Sequence, residues 1–273
     1  MNDEKVPVQT ASEPATLSEI QNFWEKNPVA SAGISHEPGT EEFYLAFEEA
    51  REEVEPTWLR DKVYGFSEYS SKRVLDIGCG NGYVLSKYAR GGADVWGIDL
   101  TRKSVELSRR RFSLEKLDGH FLVGNAEKLP YPDGHFDLVT SMGVLHHVPS
   151  FEKAVSEIRR VLRPGGRFLM MVYHRDSFYH NVVFPLYRRF HPDLRGMSNE
   201  ALANHVDGAE NPLGRVYTRV EIRQVLHEFS QIEFTVGSLP RNSVPRVGSL
   251  IPQALLDLAS RRWGWFLYSS ALR

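Results

Sequence analysis

The chain has 273 residues, 41% hydrophobic and 25% charged, a composition suited to a water-soluble fold with a sizeable buried core. A formal net charge of −2 removes the general electrostatic case for binding nucleic acid or anionic lipid, and a single cysteine, Cys79, excludes an internal disulfide framework or a cysteine-rich metal site. No stretch approaches the roughly 20 apolar residues of a membrane span, and the start lacks a basic region followed by an apolar one, so a cytoplasmic protein is expected.

Residues 1–15 read as a disordered tail, followed by a helical cap over 16–72. Thr16 and Glu19 form a capping box ahead of a helix carrying Phe23 and Trp24. Thr40 caps a second helix, EEFYLAFEEAREEVE, whose Phe43 and Phe47 share one face and are expected to pack inward. A cap over the mouth of a sheet needs such an apolar underside. The ends differ in charge: residues 1–72 hold 6 Lys or Arg against 15 acids, whereas residues 173–273 hold 12 Arg, no Lys and 9 acids. That contrast reads either as solvated faces of opposite sign or as an arginine-bearing region facing an anionic substrate or the acidic cap.

From Arg73 to about His174, short apolar runs alternate with helical ones, the pattern of right-handed crossovers on a parallel sheet. The strands are RVLDIG, ADVWGID, HFLVGN, FDLVTSM and RFLMMVY, apolar almost throughout because helices are expected on both faces. Thr101 and Ser150 sit at the N-caps of two intervening helices, and RPGG (163–166) is expected to end the second. Residues 173–217 are too long for an ordinary connection and read as a lid insertion in a domain running from 73 to 273. Thr218 and Glu221 open a further helix; QIEFTVG and GWFLYSSAL then form an antiparallel hairpin at the sheet edge, with a helix at IPQALLDLASRR. The expected fold is α/β: a Rossmann-like, seven-stranded, mostly parallel sheet with that antiparallel edge, a helical cap and a lid.

RVLDIGCGNGYVL (73–85) places Gly78, Gly80 and Gly82 where a strand turns into a helix, at the sheet edge where such folds bind ligands. Bare backbone there lets a bulky ligand approach; a tight turn needing positive φ is the alternative. The spacing is G-x-G-x-G rather than the dinucleotide G-x-G-x-x-G, and Asp76 precedes it, a carboxylate unsuited to a pyrophosphate but compatible with an ammonium or sulfonium group. Asp99, ending the next strand, can accept from both hydroxyls of a ribose. Asn125 and Ala126 end the third strand, where an adenine ring would lie with Leu100 against one face. SMGVLHHVP brings Met142, Gly143, His146 and His147 over the same mouth.

Five ordered motifs, VLDIGCGNG, VWGIDL, GNAEKLPYPDGHFDLV, GVLHHVP and LRPGG, resemble the class I S-adenosylmethionine-dependent methyltransferases, in the small-molecule group that includes the ubiquinone and menaquinone C-methyltransferases. The resemblance covers about residues 73–172 and implies S-adenosyl-L-methionine as cofactor: Gly78 and Gly80 under its methionine part, Asp99 on the ribose, Asn125 and Ala126 at the adenine. Many relatives carry Asp where this chain has Asn125.

Methyl transfer from a sulfonium requires alignment and exclusion of water, and most acceptors must also lose a proton. His147 and His146 are the first candidates for that base; His36, His174, His180 and His205 are weaker ones. Arg215 is a candidate clamp for an anionic acceptor. No cluster of carboxylates and amides marks a magnesium site of the catechol type, so metal-independent transfer to a small-molecule acceptor is expected. Three other readings stand beside it: transfer to a prenylated quinone or lipid at a membrane surface, from the apolar, arginine-flanked VVFPLYRRF and IPQALLDLASRRW; a non-catalytic S-adenosylmethionine-binding protein; and an NAD-dependent oxidoreductase, which the glycine spacing disfavours.

Overall fold

The computed structural model describes residues 15–28, 33–208, 210–241 and 250–273; the tail expected over 1–15 lies, but for Ala15, outside them. In chain order the regular elements are α1 (Leu17–Lys26), α2 (Glu41–Val54), α3 (Thr57–Val63), β1 (Arg73–Ile77), α4 (Tyr83–Arg90), β2 (Asp94–Asp99), α5 (Arg102–Glu115), β3 (His120–Val123), β4 (Phe136–Met142), α6 (Phe151–Val161) and β5 (Leu162–His174). A π-helical turn (Tyr179–Val183) then leads into α7 (Phe184–Phe190), α8 (Asn199–His205), β6 (Val216–Tyr217), α9 (Arg219–Val225), β7 (Ser230–Gly237), α10 (Gln253–Trp263) and β8 (Phe266–Leu272).

The strands form one sheet in the order β3-β2-β1-β4-β5-β8-β7. The pairs from β3 to β5 are parallel, and β8 runs antiparallel to both β5 and β7. All seven expected strands are present; β6 adds an eighth of two residues at the tip of β5. The antiparallel edge is not closed by a tight turn, because α10 lies between β7 and β8. RPGG does not intervene between helix and strand. α6 passes directly into β5 at Leu162, and the Pro-Gly-Gly is absorbed where the register against β4 shifts between Phe136 and Leu138.

Strand periodicity splits the core into two layers. On β1, Leu75 and Ile77 face one cluster with Phe151, Ile158 and Ile222, while Val74 faces another with Tyr83, Tyr88 and Phe112. Each such fully buried aliphatic chain contributes about 1.5–3 kcal/mol.

Beside its buried aromatic face, α2 is tied to the sheet's helices by ion pairs. The guanidinium of Arg111, buried on α5, pairs with Glu48 of α2 at 2.8 Å, and Lys87 of α4 pairs with the same carboxylate at 3.0 Å. The acidic cap is thus answered by cations of α4 and α5. Glu55, at the end of α2 and inaccessible to solvent, accepts from Arg51, from the Tyr64 hydroxyl and from the Tyr268 hydroxyl of β8, so its charge is paired on every side. Phe43 and Phe47 are buried, as their spacing required.

Candidate functional site

The turn after β1 is built from left-handed backbone: φ is +73° at Gly78, +55° at Gly80 and +79° at Gly82. A Cβ on Gly78 would lie 2.2 Å from Val144 Cγ2, and one on Gly82 would lie 3.2 Å from the Ser108 Cα of α5. At these two positions the missing side chains therefore make room for the protein's own loop and helix. Of the three glycines, Gly78 lines the cavity described next; Gly80 and Gly82 set the turn.

That cavity lies at the carboxyl edge of the sheet, walled by Gly78, Asp99, Leu100, Asn125, Ala126 and Gly143. It is roofed by Leu17, Ile20 and Trp24 of α1 and encloses about 710 Å³, its open mouth included. The roof was only partly legible: Leu17, Ile20 and Trp24 are spaced three and four apart, one helical face, whereas the aromatic pair alone drew notice. Phe23 instead packs inward, edge-on to Trp24 and against the position of Gly208. Two polar side chains latch the roof. Gln21 Nε2 donates to the Leu100 carbonyl at 2.9 Å, and Glu25 accepts from the Arg102 and Lys103 amides at 2.9 and 3.1 Å, capping α5 from a distant helix.

Asp99 serves the protein as well as the cavity. Its Oδ2 accepts from the Gly80 amide at 3.0 Å, and its Oδ1 accepts from the Thr101 amide and hydroxyl, both at 2.9 Å. Burial raises its pKa, while the Thr101 and Gly80 bonds pull it back. Ser104 adds a further side-chain bond, so this carboxylate is held by the protein's own groups while it lines the cavity. Asn125 is likewise engaged, its Oδ1 accepting from the Glu127 amide at 2.9 Å.

Asp76 does not line the cavity. It is buried at the β1–β4 junction, where Thr140 Oγ1 donates to it at 2.6 Å, and desolvation pushes its pKa up to about 8. Met142 also lies off the wall, packed toward Leu59, Met171 and Tyr268; its neighbours Gly143 (φ +77°) and Val144 take the wall.

His147 lines the cavity, and His146 lies behind it, inaccessible to solvent and packed at a tilt of 43° against Tyr173 with ring centroids 4.2 Å apart. Burial holds both imidazoles below the ordinary histidine pKa. His147 Nδ1 meets the Leu213 carbonyl at 2.5 Å; the carbonyl can only accept, so Nδ1 carries the proton and Nε2 is left bare. Asp207 Oδ2 faces Nε2 at 3.5 Å, and Asp207 Oδ1 accepts from the Tyr173 hydroxyl at 2.6 Å. Asp207 carries no sequence signal, lying sixty residues away between α8 and β6. Donor atoms of His146, His147 and Asp207 lie within 4.8 Å of one another.

Arg215 is not a clamp. It donates to the Val148 and Pro149 carbonyls, and its amide to the His146 carbonyl, binding the segment before β6 to the loop after β4. His174 is tied to the Gly264 carbonyl, His180 is buried in the π-helical turn, and His36 and His205 are exposed.

Residues 75–170 match a family described as "Methyltransferase domain". The chain is 42% identical over 104 residues to phthiotriol/phenolphthiotriol dimycocerosates methyltransferase 1 of Mycobacterium ulcerans, covering 37% of this chain and 38% of that protein. It is 36% identical over 116 residues to the demethylmenaquinone methyltransferase of Thermus thermophilus, covering 42% and 53%. Geranyl diphosphate C-methyltransferase from Streptomyces coelicolor, solved with Mg2+, geranyl diphosphate and S-adenosyl-L-homocysteine, superposes with a TM-score of 0.58 over 95% of this chain and all of that one, at 16% identity, a likeness of fold. Residues 75–170, which hold the glycine turn, Asp99 and nearly all of the first five strands, are thus a methyltransferase domain, and the chain spans about half the length of the relatives named here.

Proposed function

We propose that this protein transfers a methyl group from S-adenosyl-L-methionine to a small-molecule acceptor, without a metal ion. The observation that carries the reading is the pairing of Asp99 with the Gly80 amide, which joins the two halves of a nucleoside site into one unit at the cavity wall. The residues fit the cofactor. Asp99 places its carboxylate at the cavity wall, where a ribose hydroxyl would meet it, Leu100 and Ala126 offer apolar contact to a purine, and Asn125 sits at its edge. Bound there, the cofactor supplies a methyl group on a sulfonium that already carries its leaving group. The chain supplies enclosure and proton handling. α1 excludes water from above, and His147 Nε2 takes the acceptor's proton while Asp207 stabilises the imidazolium that forms. We read the His146, His147 and Asp207 group as this proton-handling set, with His146 as the packed ring behind it.

The organisation that goes with this reading is a cap over 16–72, a methyltransferase domain from 73 onward and a lid over about 173–217. Both curated relatives named above act on lipid or quinone substrates by their names, which supports an apolar acceptor here. Among the described residues no helix is long and apolar enough to cross a membrane. Calorimetric titration with S-adenosyl-L-methionine, then incubation of the protein with methyl-labelled cofactor and a cell extract, tests the reading. Absence of cofactor binding overturns it, and binding without labelled product leaves the non-catalytic alternative in its place.

A further inference from the structure

We propose that the face formed by residues 182–190 and α10 seats this protein on an anionic lipid surface, from which the acceptor reaches the cavity. The docking stands on the surface itself; only the delivery of an acceptor rests on the function proposed above. Val182, Leu186 and Phe190 follow one another at four-residue spacing and are 38%, 45% and 70% exposed. Across from them on α10, Leu255, Leu258 and Trp263 are 56%, 64% and 50% exposed. Between the two runs lies an apolar groove floored by Phe178, Leu239 and Leu256. Six large apolar side chains exposed on two neighbouring runs form a patch, unlike the scattered single exposures normal for a protein surface.

Its position ties it to the site. The groove opens beyond the ends of β5 at His174 and β7 at Gly237, and next to the start of β8 at Phe266. β7 and β5 run parallel, both being antiparallel to β8, so this is the same sheet edge that carries Gly78 and Asp99.

Charge selects the occupant. Segments 182–195 and 250–263 hold five arginines, two aspartates and no lysine, and Arg189, Arg195, Arg261 and Arg262 are exposed. Guanidinium forks match phosphate oxygens, and Trp263, with Arg262 over its ring at 5.8 Å, has the amphipathic character of a headgroup-level anchor. A second copy docked about a two-fold axis would bring one arginine fringe against the other, whereas anionic headgroups neutralise it.

Sedimentation of the full chain with vesicles tests the assignment, using phosphatidylcholine alone and phosphatidylcholine with phosphatidylglycerol. The protein is expected to sediment with the anionic vesicles, to be released by salt, and to bind the neutral ones weakly. Arg189→Gln and Arg262→Gln should each weaken anionic-vesicle binding about five-fold. Leu186→Glu with Leu258→Glu should abolish it while thermal melting and calorimetric S-adenosyl-L-methionine binding stay unchanged. No sedimentation with anionic vesicles, or sedimentation indifferent to the leucine changes, overturns the proposal. So does a concentration-dependent dimer that the same leucine changes dissolve, which makes the face an interface between copies. Cofactor binding without vesicle binding defeats this proposal alone; vesicle binding without cofactor binding defeats the proposed function alone.

Discussion

The Asp99 carboxylate accepts a hydrogen bond from the Gly80 amide at 3.0 Å, so the tip of β2 and the turn after β1 are a single bonded unit. A carboxylate placed only to meet a ribose would be expendable to the fold; this one also ends a strand and orders a glycine turn.

Asp99→Ala is therefore expected to act twice. It removes the ribose acceptor and leaves the Gly80 and Thr101 amides without their partner, a stability loss of about 1–3 kcal/mol. Asp99→Asn keeps an acceptor oxygen but loses the charge, and should retain most of the stability while weakening S-adenosyl-L-methionine binding. Calorimetry and thermal melts on both variants separate the effects. Unchanged affinity in both would remove Asp99 from the site.

Gly78 and Val144 test the turn. At φ +73° with a neighbour 2.2 Å from the prospective Cβ, Gly78→Ala combines left-handed strain with overpacking, together about 2–5 kcal/mol. Pairing it with Val144→Ala should recover the overpacking part and leave the backbone part, so the double variant melts between Gly78→Ala and the parent. A double variant no more stable than Gly78→Ala would place the collision elsewhere.

Much of this architecture was legible in the sequence because it is local. The capping pairs Thr16–Glu19 and Thr218–Glu221, the caps at Thr40, Thr101 and Ser150, and the apolar strands all formed as read. What escaped is set by tertiary geometry. Nothing near Asp76 or Met142 in the chain says that each lies off the cavity wall, or that Asp76 is buried against Thr140. Glu25 capping α5 and Asp207 facing His147 are contacts between segments far apart in sequence, for which a single chain carries no periodic signal. Gly78 and Gly82 were recognised as necessary, but the atoms that need the space belong to Val144 and Ser108.

Glu25 predicts how the cavity opens. Its carboxylate and the Gln21 amide are the polar latches of α1 over the nucleoside site, and a helix cap of this kind contributes about 0.5–2 kcal/mol. Glu25→Ala with Gln21→Ala should speed cofactor release roughly 2–30-fold by weakening the closed roof. Stopped-flow displacement measures it, and the sheet's melting temperature should move little. A release rate equal to the parent's would show that α1 does not gate the cavity.

Asp76 gives a stability test with a definite sign. With its pKa raised to about 8 by burial, it stays protonated in the folded chain at neutral pH, whereas the unfolded carboxyl ionises near 4. The folded state then binds more protons between about pH 4 and pH 8, so this group's contribution to stability falls as pH rises through that window. Asp76→Asn cannot ionise. It should melt higher than the parent at pH 8 and converge with it near pH 4, which paired thermal melts across that range would check. A variant less stable at pH 8 would mean that the ionised carboxylate has a partner in the fold.

The His147–Asp207 pair yields the catalytic prediction. Burial lowers the His147 pKa, so the bare Nε2 that the Leu213 carbonyl enforces persists below pH 6.5, and activity limited by proton removal should hold down to that range before falling. His147→Ala should reduce turnover by about 10²–10⁴-fold with the cofactor still bound. Asp207→Asn removes the charge that stabilises the imidazolium, so it should both slow turnover and move the acid limb to still lower pH, since the protonated ring loses its counter-charge. A purely structural Asp207 would depress activity equally at every pH. The shift of the limb is thus the decisive reading, and a profile parallel to the parent's would take Asp207 out of the chemistry.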